Sequence, residues 1–278
     1  TYGLEGRELG DFNVTRYIDS LADAGLWLIL ELPRKALLSS LYQGADPNIY
    51  NNEFIEYVNQ HKNDAPLLYW RLYDEPKLDG HVSLNRFIWG YNTIKSNDPE
   101  HKVTTVFAGL NTNFPIGDYL YGTDIASTDQ TVITADDPVP APDLYRHAEM
   151  TKSIVDECAA LEMLPPIAEV RAQIGTEVPM PGRQPTLQEQ RYLSFCPMTI
   201  GATGGVLFYI YSDAGKVFGP REEVVSEVMG QLQHCKFAVI EGKPSGILVS
   251  SDRDSNLIGG HSVNDITYLF GGSDETYE

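Results

Sequence analysis

Apolar positions along this chain fall into two alternating patterns. Short, nearly continuous apolar runs bounded by Pro, Gly or Asp occur at residues 26–33 (LWLILELP), 67–74 (LLYWRLYD), 102–109 (KVTTVFAG), 123–129 (TDIASTD), 166–173 (PIAEVRAQ) and 204–213 (GGVLFYIYSD). Runs that lack strict polar alternation are how strands covered on both faces read, so six such strands are predicted. The segments between them carry helical spacing instead. In NVTRYIDSLADAG (13–25), Val14, Tyr17, Ile18, Leu21 and Ala22 fall at i, i+3, i+4, i+7 and i+8, with Asn13 placed as an N-cap and Gly25 as the stop.

The same spacing predicts helices over 51–62, 84–97, 141–163, 186–202 and 221–235. Pro197 lies inside the fifth of these and is expected to kink or split it. Strands alternating with helices imply parallel βαβ units, either as an open doubly wound sheet or as a closed (β/α)8 TIM barrel. No strand is followed by a Gly-rich phosphate turn, and acidic and aromatic residues collect at the C-terminal ends of several strands. Both features favour the barrel, whose chemistry sits at that end, and neither suggests a cofactor. After His234 the texture changes to short apolar runs broken by Gly, Ser, Asp and Asn, which read as hairpins. The expected organisation is thus an α/β barrel domain over 1–236 and a β appendage, or the start of a β-sandwich, over 237–278.

Composition narrows the partners. The 278 residues are 42% hydrophobic and 21% charged, enough for one large core or two smaller ones. A formal charge of −19 repels nucleic acid and anionic lipid, so a neutral or cationic partner fits better. No window reaches the roughly 18 uninterrupted apolar residues of a membrane span. The N-terminus TYGLEGRELG lacks the basic and apolar regions of a signal peptide, so an exported protein would already have lost its leader. Oligomeric state is not set by any of this. Cys158, Cys196 and Cys235, odd in number and each in a separate predicted helix, read as buried free thiols or one disulfide and match no zinc pattern. The six histidines show no ligand spacing, so no metal is expected, and Asn13-Val14-Thr15 is a glycosylation sequon.

Residues 67–76, LLYWRLYDEP, carry the chemistry. An aromatic strand with Arg71 as its one interior charge runs into Asp74 and Glu75 and stops on Pro76. A strand that ends in carboxylates is a common way for an α/β enzyme to present an acid, and a polar turn is the alternative.

Three stretches together, YWRLYDEP, TDIASTDQTVI and GRQPTLQEQRYLSFCPMTIGATGGVLFYIYSD, resemble the catalytic barrels of clan A glycoside hydrolases, close to families 2 and 5, over roughly residues 1–235. The resemblance implies retaining hydrolysis of a β-linked oligo- or polysaccharide by a secreted or cell-surface protein. It makes Glu75, at the place of the Glu in the family's Asn-Glu-Pro, the general acid/base. A glycosidic oxygen leaves poorly unless protonated, so an acid with a raised pKa has to sit beside it. Asp74 stands where the family has Asn, and it can raise the pKa of Glu75, bind a cation or cap the turn.

By the same resemblance Glu169 is the seventh-strand nucleophile, to be held roughly 5 Å from Glu75. It lies only three residues after Pro166, with Arg171 on the same strand face, so a structural Glu169–Arg171 pair is the competing reading. Asp129 and Glu177 are the reserve carboxylates. Tyr209, Tyr211, Asp213, Trp70, Tyr73, Glu31 and Arg34 end or line strands as sugar-binding surface, with Trp70 equally readable as barrel core. The resemblance also makes the strand at residue 26 the third of the barrel, so the first two are expected upstream of residue 1. Two further readings stay open: a catalytically silent barrel that binds glycan or builds a surface assembly, and a doubly wound enzyme of other chemistry.

Overall fold

The computed structural model describes residues 14–33, 36–38, 47–76, 82–107, 116–129, 144–173, 185–210, 222–241, 243–244, 256–263 and 266–273. Its elements run α1 (Val14–Asp23), β1 (Leu28–Glu31), α2 (Pro47–His61), β2 (Leu67–Asp74), α3 (Leu84–Asn97), β3 (Lys102–Phe107), α4 (Gly117–Leu120), β4 (Ile125–Asp129), α5 (Leu144–Ala160), β5 (Ile167–Gln173), α6 (Leu187–Thr199), β6 (Gly205–Ile210), α7 (Glu222–Glu241), β7 (Lys243–Pro244), β8 (Asn256–Val263) and β9 (Ile266–Ser273). Each predicted strand is present, and helices fill the connections. The chain divides into two compact units, one ending at Ser127 and the other running from Thr128 to Glu278 with the short segment 109–111.

In the first unit the strands lie in the order β1-β2-β3-β4, each beside its sequence neighbour. A doubly wound sheet reverses its strand order partway, so this simple succession removes that reading for the unit. The ladder is parallel, with Leu30 opposite Trp70 and Trp70 opposite Val103. Parallel pairing requires cover on the sheet, and α2 and α3 supply it with Phe54, Val58, Phe87 and Ile94 against Leu30, Leu32, Trp70, Leu72 and Val103. A Cβ on Gly90 of α3 would fall 3.0 Å from Leu72 Cδ1, which shows how closely that helix approaches. Helix α1 stops as expected. Gly25 takes φ 66°, its N–H bonds to Ala22, and Leu26 N–H bonds to Leu21, a Schellman end that only a left-handed residue closes cheaply. Asn13 and its sequon lie outside the described residues.

One polar knot ties this core to the turn after α3. The buried Trp70 indole donates to Asp98 Oδ2 at 2.8 Å, and the His101 ring meets the same oxygen at 2.7 Å. The amides of Glu100 and His101 donate to Asp98 Oδ1. Burial alone would raise the Asp98 pKa, but the bonds from Trp70 and His101 outweigh it and hold the carboxyl below its ordinary value.

In the second unit β5 pairs parallel with β6. Ala168 and Val170 of β5 pack on Ala148 of α5 and on Tyr192, Leu193 and Cys196 of α6. Helix α6 opens with a capping box, Thr186 and Glu189 each bonding the other's backbone N–H. Pro197 does not split it. The helix continues to Thr199, because a proline in the last turn removes a single helical bond, the one to Leu193. Helix α7 runs through Glu241, so FAVIE is helical where hairpins were expected. The hairpins follow it as an antiparallel sheet β7-β8-β9 lying against α6 and α7. The cysteines are free thiols, Cys158 and Cys196 buried and Cys235 partly so. No described helix is long and apolar enough to cross a membrane.

Two outcomes test these cores. Asp98→Ala leaves the Trp70 indole and two amides without an acceptor and should cost about 3 kcal/mol in denaturant melts, whereas a loss under about 1 kcal/mol would show that the knot is incidental. In the second unit His147 of α5 is fully buried, and burial pushes its pKa down to about 4 from 6.5. The folded state therefore binds fewer protons than the unfolded one, so this contribution is whole above about pH 6.5 and is lost as pH falls toward about 4. Lowering the pH to about 5 should cost wild type about 2 kcal/mol more than His147→Leu. Parallel pH profiles of the two proteins would contradict the assignment.

Candidate active site

Strand alternation decides which side chains of β2 can meet a ligand. Trp70 and Leu72 point at the helices, so Tyr69 and Arg71 occupy the opposite face, while the ladder irregularity between Arg71 and Tyr73 leaves Tyr73 in the same core cluster as Trp70 and Leu72. Trp70 is thereby corrected from a sugar platform to core: it is 0% exposed and its indole N–H is held by Asp98. Tyr73 is also fully buried.

The register sets Glu31 of β1 directly beside Arg71, with Thr104 of β3 on the other side. Arg71 is buried and Glu31, the last residue of β1, is half-buried, so opposite charges stand side by side on the face away from the described helices. Arg71 is the functional candidate that sequence reasoning passed over. Its signal was a single charge inside an apolar strand, but its neighbour became visible only with the register.

At the tip, Asp74 and Glu75 are both half-buried and Pro76 is buried. Glu75 has φ 56°, in the left-handed region that costs a side chain with a Cβ about 1–3 kcal/mol. Its N–H donates to the Val106 carbonyl at 3.0 Å, continuing the β2–β3 ladder one residue beyond the strand. Among the described residues the other non-glycine with positive φ is Glu162 at 55°. That one is explained by its place in a Schellman end of α5, where Glu162 N–H bonds to Ala159 and Met163 N–H bonds to Cys158. Glu75 follows strand β2 and not a helix, so a Schellman end does not account for its φ. The conformation turns the chain sharply between the ladder bond behind it and the proline ring in front.

The second unit holds the other carboxylates. Asp129 ends β4 and is 8% exposed. Glu169 is the third residue of β5 and is 3% exposed. With Ala168 and Val170 facing the helices, Glu169 lies on the helix-free face, beside Leu207 in the register. Arg171 lies two residues on and is paired in the backbone register with Tyr209. Tyr211, Asp213, Arg34 and Glu177 lie outside the described residues. No group of three or more His, Cys, Asp or Glu among the described residues converges as a metal site. Among the described residues, then, Glu31 and Glu169 lie on the sheet face away from the packed helices, and Asp74, Glu75 and Asp129 stand at strand ends. Such groups can donate a proton, hold hydroxyls by hydrogen bonds, or attack an electrophilic carbon.

No family model matches this chain, and no curated protein matches it. Solved structures do. A beta-galactosidase from Bacillus circulans sp. alkalophilus superposes with a TM-score of 0.62 at 11% identity, over 83% of this chain and 49% of that one. A family 39 glycoside hydrolase from Bacteroides cellulosilyticus WH2 matches with a TM-score of 0.56 at 13% identity, over 97% of this chain and 62% of that one. A beta-glucuronidase from an uncultured Clostridium sp. matches with a TM-score of 0.53 at 13% identity, over 79% and 42%. The chain spans about half the length of the structures it matches. At such low identity the likeness speaks for the fold, and six parallel strands with their helices make it a glycoside hydrolase-like α/β fold corresponding to part of a (β/α)8 barrel.

Proposed function

We propose that this chain carries the active-site strands of a retaining glycoside hydrolase acting outside the cell on a β-linked oligo- or polysaccharide. Glu75 is the general acid/base and Glu169 the nucleophile. The observation that carries this reading is the strained backbone of Glu75 at the tip of β2, since backbone strain clusters where a side chain is aimed for use. In the first step Glu75 protonates the glycosidic oxygen while Glu169 attacks the anomeric carbon, giving a glycosyl ester and a free alcohol. In the second Glu75 takes a proton from water, which displaces Glu169 and releases the sugar. Asp74 and Asp129 are assigned to the sugar, and Glu31 and Arg71 to shaping the floor beneath it, while Tyr73, fully buried in the core cluster, is not.

One observation favours a second reading, a silent barrel that binds glycan without cleaving it. Glu169 sits in the middle of a seven-residue strand at 3% exposure, deeper than an attacking group needs to be. Asp74 in place of Asn points the same way.

A panel of aryl glycosides separates the two. Wild type should hydrolyse at least one member, and Glu75→Gln should lower kcat by about 10²–10⁴ while retaining glycan binding. Binding without any turnover by wild type would leave the silent barrel standing, and full activity in Glu75→Gln would remove Glu75 from the mechanism. Glu75→Gly should relieve the positive φ, raising Tm by about 2–4 °C while abolishing turnover. A lower Tm in that variant would show that the conformation is not strained.

A further inference from the structure

The ladder between β2 and β3 contains one extra residue. Arg71 stands opposite Thr104 and Tyr73 opposite Thr105, so Leu72 and Tyr73 together answer a single step of the neighbouring strand. A doubled step of this kind interrupts the alternation of side chains, and bulges of this sort concentrate beside active sites, where they re-aim a side chain. Leu72 and Tyr73 accordingly both belong to the core cluster packed by the helices, Leu72 against Gly90 of α3.

The consequence falls on the other face. Partners in a parallel ladder share a face, and β3 keeps its own alternation, with Val103 in the helix-covered cluster and Thr104 and Val106 at the positions of opposite parity. Arg71 opposite Thr104 and Asp74 opposite Val106 are therefore successive residues on the face away from the helices, two strand steps or about 6–7 Å apart. Without the extra residue in the count, Tyr73 would stand above Arg71 and Asp74 would point at the helices. Glu31 is the register partner of Arg71 on β1, so Arg71 has one carboxylate-bearing neighbour at its side and another above it. Alternation beyond Asp74 would send Glu75 toward the helices, and its left-handed φ is where the chain leaves that alternation.

Burial and charge decide what this arrangement can do. Arg71 is 2% exposed, whereas Glu31 and Asp74 are half-buried. A guanidinium stays charged when buried and presents five donors in a planar fork, which fixes the orientation of a carboxylate where an ammonium does not. We propose that Arg71 is a positioning residue: placed beneath Asp74 by the extra residue in β2 and flanked by Glu31, its guanidinium orients the Asp74 carboxylate at the rim toward a sugar hydroxyl. The use of that carboxylate on sugar rests on the function proposed above, and the contact of Arg71 with Asp74 does not.

Two double-mutant cycles test the two parts separately. In thermal melts, Asp74→Asn should lower Tm by about 2 °C in the wild-type background, through loss of a carboxylate beside a buried cation. In Arg71→Met, where Asp74 has Glu31 for its charged neighbour, the same change should leave Tm unaltered or raise it. Equal shifts in both backgrounds would overturn the contact. Arg71→Lys, which keeps the charge and loses the fork, serves the same cycle if Arg71→Met does not fold: a smaller Asp74→Asn shift supports the contact and an undiminished one removes it. The second cycle reads glycan affinity. Arg71→Lys should weaken binding about tenfold when Asp74 is present and leave it unchanged in Asp74→Asn. The same loss in both backgrounds would show that Arg71 does not act through Asp74. A wild type that binds no glycan would remove the proposed function, while the melts would still decide the contact.

Discussion

Parallel pairing imposes the condition on which both units rest: each strand must be hidden on both faces, so its chemistry is confined to a helix-free face and to its ends. β2 shows the consequence. Trp70, Leu72 and Tyr73 join the core cluster with the helices, Arg71 is buried on the other side, and the half-buried acids appear only as the strand runs out at Asp74 and Glu75. One backbone bond, from Glu75 N–H to the Val106 carbonyl, keeps the tip attached to the sheet after the strand has ended. Buried Pro76 follows it. Between those fixed points Glu75 adopts a conformation that its Cβ disfavours, and the surrounding structure bears the cost.

The second unit answers the same condition differently. Its core cluster joins Ala168 and Val170 to Ala148, Tyr192, Leu193 and Cys196, and like the first unit it buries polar side chains, among them His147, Thr151 and Gln190. Where Asp98 satisfies Trp70 directly with a charge, His147 of α5 meets the backbone of Leu193 in α6 as a neutral, fully buried ring. A charged hub rigidifies a core, while a buried neutral imidazole ties the unit's stability to the protonation of His147.

Much of this fold was legible in the order of the residues, and the reasons are local. Strand β2 and helix α3 fall where the apolar run and the helical spacing place them, since long segments with one clear period leave no competing choice. FAVIE was misread because a short apolar run fits either period, and its attachment to a helix already under way decided the matter. Pro197 does not split its helix, because it falls in the last turn. The site was legible in type but not in arrangement. Glu75 could be picked out from its strand and its proline, but its positive φ could not, because nothing in a glutamate announces it. The pairing of Glu31 with Arg71 needed a register, and the meeting of His147 with Leu193 needed two helices to pack.

The central claim is that Glu75 is held at the tip of β2 to act on a sugar. It is tested most directly by a crystal structure of the protein with an uncleavable β-linked oligosaccharide bound. The account predicts a glycosidic or hydroxyl oxygen of the sugar within hydrogen-bond reach of the Glu75 carboxyl, with the φ of Glu75 still positive. A sugar bound away from the end of β2, or a Glu75 relaxed to ordinary extended backbone, would contradict it.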